Sequence, residues 1–141
     1  MINRRSFITG IKSISLSKKE ISFLKVYKPW GVILFSRNIK TLKQTKKLTN
    51  HIKLVFKDKQ YPILIDQEGG RVNRLKKIFK AGTFTAEFFG KLYLEDRKKF
   101  NALYKTFINE TSHLLRSIGI NINTLPVLDL RSKGSSNIIG D

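Results

Sequence analysis

Two carboxylates and two guanidiniums, Asp66, Glu68, Arg71 and Arg74, sit close together in this chain. An apolar run, Ile63-Leu64-Ile65, leads into them, and Gly69-Gly70 interrupts them. A strand that turns acidic at its C-terminal end and passes into a Gly-Gly turn is how α/β enzymes present polar groups to a ligand. Asp66 and Glu68 are two apart, so an extended backbone projects both to one face, where they could serve as the carboxylate pair of a glycosidase. The competing reading has one of them capping the turn through backbone N–H groups. Capping suits Glu68 better, whereas Asp66, where the strand runs out, suits ligand contact. Arg71 and Arg74 carry planar guanidiniums that match sugar hydroxyls, carboxylates and phosphates. For Arg71 a salt bridge to Asp66 or Glu68 is the rival. Asp129 closes the run Pro126-Val127-Leu128-Asp129-Leu130 and points to the same end of the fold, either to bind ligand or to orient loops.

Other reactive types are sparse. The chain has no cysteine, which excludes disulfides, thiolate catalysis and Cys-ligated zinc. His51 and His113 have no second His, Asp or Glu at metal-binding spacing and read as ordinary helical residues. The first βα turn lacks G-x-G-x-x-G, and there is no P-loop lysine pattern. No cofactor or metal is expected.

The elements that must hold these groups alternate short β-like runs with longer helical ones. Ser6 to Ile11 reads as a strand, and Ser17-Lys18-Lys19-Glu20 has the form of a capping box opening a helix. Pro29 stops that helix. Gly31 to Phe35 is a continuous apolar run, as in a strand buried on both faces of a parallel sheet. Thr41-Leu42-Lys43-Gln44 is a second capping-box candidate, before a helix with Leu48, Ile52, Val55 and Phe56 on one face. Pro62 starts the third strand. An irregular stretch follows the glycines, with a short helix near Thr85 to Gly90. The longest helix spans Glu95 to Ser117 and ends at a left-handed Gly119. Ile120 to Thr124 is a fourth strand, and residues 134–141 read as loop. A βα series with no hairpin signal makes a parallel sheet, doubly wound or barrel-like. A closed (β/α)8 barrel needs eight units and ~250 residues, so four units correspond to its first half.

Composition bounds the rest. A hydrophobic share of 40% with ten Phe fits one globular domain with a real core. The formal charge of +18 invites a nucleic-acid reading. However, the lysines are spread along helix faces, and neither a recognition motif nor a stacking platform accompanies them. A lysine-rich solvated surface is the simpler account, and no specific nucleic-acid partner is expected. Met1 to Ile8 superficially resembles a twin-arginine export signal, but Lys12 and Lys18-Lys19-Glu20 break the apolar stretch it needs. No segment reaches the length of a membrane span, and a soluble cytoplasmic protein is the expectation.

Four separated motifs carry a family resemblance: Pro29-Trp30-Gly31-Val32-Ile33-Leu34-Phe35-Ser36-Arg37-Asn38, then Ile65-Asp66-Gln67-Glu68-Gly69-Gly70-Arg71-Val72, then Leu125-Pro126-Val127-Leu128-Asp129-Leu130, then Ile139-Gly140-Asp141. In this order and spacing the chain, from about Ile8 to Asp141, resembles the bacterial β-N-acetylhexosaminidases of glycoside hydrolase family 3. The resemblance implies the N-terminal part of a TIM-barrel catalytic domain over residues 1–141. It implies an amino-sugar substrate, the terminal N-acetylglucosamine of muropeptides in cytoplasmic peptidoglycan recycling, and a monomeric full-length enzyme. Asp66 then holds sugar hydroxyls and Arg74 lines the same subsite, with Glu68, Arg71 and Asp129 around them. The resemblance overturns the paired-carboxylate reading. In the family a downstream Asp is the nucleophile and a His on a mobile loop the acid/base, with retention of configuration. Both are expected beyond Asp141, so no catalytic residue is expected in this chain. The sequence stops within the last motif, which suggests a truncated gene or incomplete sequence. The alternative is a non-catalytic half-barrel that binds sugar or assembles with other chains.

Overall fold

Apolar runs of three to six residues alternate with amphipathic stretches, and in a computed structural model they form a parallel sheet flanked by helices. The structure describes residues 3–128. The order is β1 (Arg5–Gly10), α1 (Lys18–Tyr27), β2 (Pro29–Leu34), a 3-10 turn (Ser36–Asn38), α2 (Leu42–Phe56), β3 (Ile63–Ile65), β4 (Gln67–Gly69), β5 (Val72–Asn73), α3 (Ala86–Glu95), α4 (Arg97–Ser117) and β6 (Ile122–Asn123). β1, β2, β3 and β6 are hydrogen-bonded in that order, each pair parallel, and β4 and β5 form a separate antiparallel pair.

The helix boundaries follow from caps. Ser17 accepts from the Glu20 N–H while the Glu20 carboxylate accepts from the Ser17 N–H, so the first capping box is present. The second is only half formed. Thr41 accepts from the Gln44 N–H, but Gln44 Oε1 takes the N–H of Lys40, one residue too early to close the box. Asp96 caps α4, so Glu95 ends α3 instead of opening the long helix. Gly119 has φ +82 and stops α4 as expected.

Val32 lies beside Ile63 and Leu34 beside Ile65, all four with no exposure, and they face a core completed by Leu24, Leu48, Ile52 and Leu115 from the helices and by Ile118 just past α4. Each such side chain contributes roughly 1.5–3 kcal/mol on burial. Trp30 is the exception in β2, standing 43% exposed. A second, aromatic cluster packs α3 on α4 through Phe84, Phe89, Phe100, Tyr104 and Phe107, with centroids 4.8 to 6.3 Å apart among the paired rings.

The β4–β5 hairpin corrects the expectation of a series without hairpins. Gly69 and Gly70 adopt φ of +96 and +52, the region a tight hairpin turn demands and side chains resist. The turn is clamped from outside: Gly70 N–H donates to the Ala81 carbonyl, and a Cβ on Gly69 would stand 2.1 Å from the Phe84 oxygen. The aromatic cluster therefore supports the hairpin directly. No helix among the described residues is long and apolar enough to cross a membrane.

Candidate functional site

At the C-terminal end of the sheet, β3 stops at Ile65 and Asp66 stands between it and the hairpin. Its carboxylate accepts from Arg74 Nη2 at 3.3 Å and from the Thr124 hydroxyl. Asp66 and Arg74 keep 27% and 29% of their side chains exposed, so the pair is held by the protein and open to a ligand. The hairpin explains how residues eight apart meet: β5 folds back along β4, with Asn73 opposite Gln67, and returns Arg74 to the point of departure.

Thr124 arrives by another device. Asn123, in β6, accepts the Gln67 N–H at 2.9 Å and donates to the Gln67 carbonyl at 3.1 Å. Its side chain thus continues the β3–β6 ladder one step past the strands. Asn121 does the same at the other end, accepting from the Ile63 N–H and donating to the Tyr61 carbonyl. The Thr124 N–H donates to the Ile65 carbonyl at 3.0 Å, which sets its hydroxyl against Asp66. Sequence reasoning missed Asn121, Asn123 and Thr124. The signal was there, an Asn-x-Asn-Thr alternation in a short strand.

Gln67 is fully buried, and its Oε1 accepts from the Leu75 N–H at 3.0 Å. Its Nε2 has no partner among the described residues, nor do Asn73 Oδ1 and Arg74 Nε. Glu68 and Gly70 are half-buried and Arg71 is exposed. Asp66 falls between β3 and β4, which belong to different sheets. The site groups Asp66 with Arg74 and Thr124. Asp129 and the Ile139-Gly140-Asp141 motif lie outside the described residues.

Phe35 joins the rim from β2. The Cζ of Arg37 lies 4.5 Å from its ring centroid and that of Arg74 5.6 Å away. The adjoining turn is anchored through Asn38, which is fully buried, accepts from the Phe35 N–H and donates to the Ile11 and Ser13 carbonyls. His51 is exposed on α2, and His113 borders a shallow groove with Ile78, Phe79, Glu110, Leu114 and Ser117. Neither approaches the Asp66 site in these contacts. Among the described residues no group of three or more His, Asp or Glu is placed to hold a metal.

An anionic acceptor beside a cationic donor, open to water, suits a neutral ligand bearing several hydroxyls. Charge-assisted hydrogen bonds are the stronger kind. Comparison with known proteins points the same way. No family model matches the chain. It is 40% identical over 113 residues to a β-hexosaminidase of Methylobacillus flagellatus, covering 79% of this chain and 31% of that protein. It is 34% identical over 138 residues to one from Alkalilimnicola ehrlichii, covering 94% and 37%. Among solved structures, native NagZ of Neisseria gonorrhoeae superposes with a TM-score of 0.74 at 28% identity, over 92% of this chain and 37% of that one. The same protein in complex with N-trifluoroacetyl-D-glucosamine gives 0.72. The chain thus spans about a third of the length of the curated relatives it matches.

Proposed function

From a chain that resembles the β-N-acetylhexosaminidases of glycoside hydrolase family 3 in sequence and fold, we infer the sugar-holding part of such a hydrolase. On this reading residues 1–141 are the N-terminal portion of its catalytic domain, and the four parallel strands are half of a (β/α)8 barrel. The substrate is a terminal β-linked N-acetylglucosamine, on muropeptides in peptidoglycan recycling in the cytoplasm, and the full-length enzyme acts as a monomer. The observation that carries it is the Asp66–Arg74 pair, steadied by Thr124, at the C-terminal end of a parallel sheet. Barrel enzymes build their sites at that end.

In this scheme the Asp66 carboxylate accepts hydrogen bonds from two hydroxyls of one sugar ring, and Arg74 donates to a third oxygen. Glu68 and Arg71 border the subsite. Asp66 binds and does not attack: its carboxylate is already engaged by a guanidinium and a hydroxyl, which stabilise its charge and lower its nucleophilicity. Bond cleavage falls to groups in the portion of the relatives that this chain does not span, an Asp nucleophile and a His acid/base.

The test is binding and turnover in one preparation. The 141-residue chain is expected to bind N-acetylglucosamine, followed by saturation-transfer NMR, and to leave a chromogenic N-acetylglucosaminide intact. Turnover by this chain that disappears in Asp66→Ala would refute the division of labour. Absence of sugar binding would refute the subsite.

A second reading, an assembly module, is favoured by one observation. Phe23, Val26 and Tyr27 on α1 and Trp30 on β2 stay 40–62% exposed, and β1 is an edge strand of the sheet. Large apolar side chains left exposed suit an interface. Sedimentation that shows a concentration-independent monomer would remove this reading.

A further inference from the structure

Phe35 is half-buried where β2 gives way to the 3-10 turn, and two guanidiniums reach its ring. Both lie within the ~6 Å over which a ring face attracts a cation. The ring fits because Gly10, the last residue of β1, has no side chain. A Cβ there would stand 3.3 Å from Phe35 Cε2 and 3.1 Å from Arg37 Nη2. Arg37 has a fixed anchor of its own, its Nε donating to the Ile11 carbonyl at 3.0 Å. Arg74 is held differently. Its one hydrogen bond to a described residue is the 3.3 Å contact from Nη2 to Asp66, and its buried Nε has no partner among them.

A single long contact at one corner does not orient a planar fork of five donors. Among the described residues, the other contact of the Arg74 guanidinium is with the Phe35 ring. We propose that Phe35 is a positioning residue: by attracting the Arg74 guanidinium it sets which N–H groups face the ligand and which face Asp66. Gly10 is the gap that lets the ring stand there. The consequence for sugar binding rests on the function proposed above, whereas the positioning itself does not.

The test uses the Arg74 Nε–H resonance of the 15N-labelled 141-residue chain, with Phe35→Leu, Phe35→Tyr and Gly10→Ala. Loss of the aromatic ring in Phe35→Leu is expected to shift that resonance by removing the ring current. It should also weaken N-acetylglucosamine binding roughly 3- to 10-fold, the size of a partly exposed cation–π contact. Phe35→Tyr keeps a ring and should restore both. Gly10→Ala leaves Phe35 in place and crowds it, so it should move the same resonance even if Phe35→Leu fails to fold. An Arg74 resonance unmoved by either Phe35→Leu or Gly10→Ala in folded protein overturns the proposal. If unsubstituted protein binds no sugar, the proposed function fails, while the resonance still decides the positioning.

Discussion

The chain leaves β2 and β3 by turns of opposite character. After β2, the polar atoms of Asn38 are all spent on backbone: Oδ1 accepts from Phe35, and Nδ2 donates to Ile11 and Ser13. Gln44 completes the stitching, donating to the Ile14 and Asn38 carbonyls and accepting from Lys40. After β3, the hairpin from Gln67 to Arg74 leaves Gln67 Nε2, Asn73 Oδ1 and Arg74 Nε without partners among the described residues. Native proteins leave few buried polar groups unpaired, and those that remain ask for an explanation. Orphaned atoms also occur at Arg4 and Thr111, away from this hairpin, so the count alone is no marker of function. The hairpin differs because one of its orphans, Arg74 Nε, belongs to a partly exposed ion pair. The first turn consists of polar side chains acting as structure, the second of structure holding polar side chains ready.

The contrast can be broken most forcefully at Gly69. Gly69→Ala places a Cβ 2.1 Å from the Phe84 oxygen at a φ of +96. Strain of that kind should cost at least ~3 kcal/mol, read as a lowered urea midpoint. A midpoint equal to the unsubstituted protein would mean that the hairpin is not clamped to the aromatic cluster. Next comes Asn38→Ala, which strips partners from three backbone groups around a fully buried side chain. The expected loss is about 2–3 kcal/mol.

Asp66→Asn should behave in the reverse way. The pair it breaks is a quarter to a third exposed, so stability should change by less than ~1 kcal/mol. Affinity for N-acetylglucosamine should drop at least ~10-fold, because a hydrogen bond to a charged acceptor is lost where a sugar hydroxyl would sit. Calorimetry of binding beside thermal melts separates the two. A large loss of stability with unchanged affinity would place Asp66 with the first turn, as structure.

Much of this was legible in the sequence because period and punctuation agreed. The apolar run 31–35, Ser17 with Glu20, Pro29 and Gly119 each fixed a local choice that the tertiary structure kept. Asp66 and Arg74 were legible as a pair of types, and their meeting was not. It depends on a hairpin whose strands are three and two residues long, too short to show a period. The Asn121, Asn123 and Thr124 device was hidden for a different reason. The Asn-x-Asn alternation shows that the two residues share a face, but not that their side chains would take the place of a strand's backbone. The irregular stretch from Lys76 to Thr85 likewise gave no sign that Phe84 would brace Gly69, since that contact uses a backbone oxygen and no side-chain pattern encodes it.

The smallest effect tests the satisfied side of the contrast by pH. The loop between β1 and α1, which Asn38 and Gln44 hold from one direction, is tied from the other by Glu20. Its carboxylate accepts from the Lys12 N–H and from both the N–H and hydroxyl of Ser17. Burial by itself raises the Glu20 carboxyl, but these hydrogen bonds favour the charged form and outweigh it, so the group titrates below its ordinary value. A depressed folded value means that the stabilisation is fully present above the unfolded glutamate value, near ~4.3, and is lost as pH falls through the lower folded value. Glu20→Gln should therefore lower stability at neutral pH and flatten the acid limb below pH ~4.3, by well under ~1 kcal/mol because water screens a partly exposed carboxylate. Urea midpoints at pH 7 and pH 3 give the comparison. If the gap between unsubstituted and Glu20→Gln protein widens on acidification, the sign is wrong and the loop is not held by the carboxylate. If it closes, the carboxylate of Glu20, like the polar atoms of Asn38, is spent on structure.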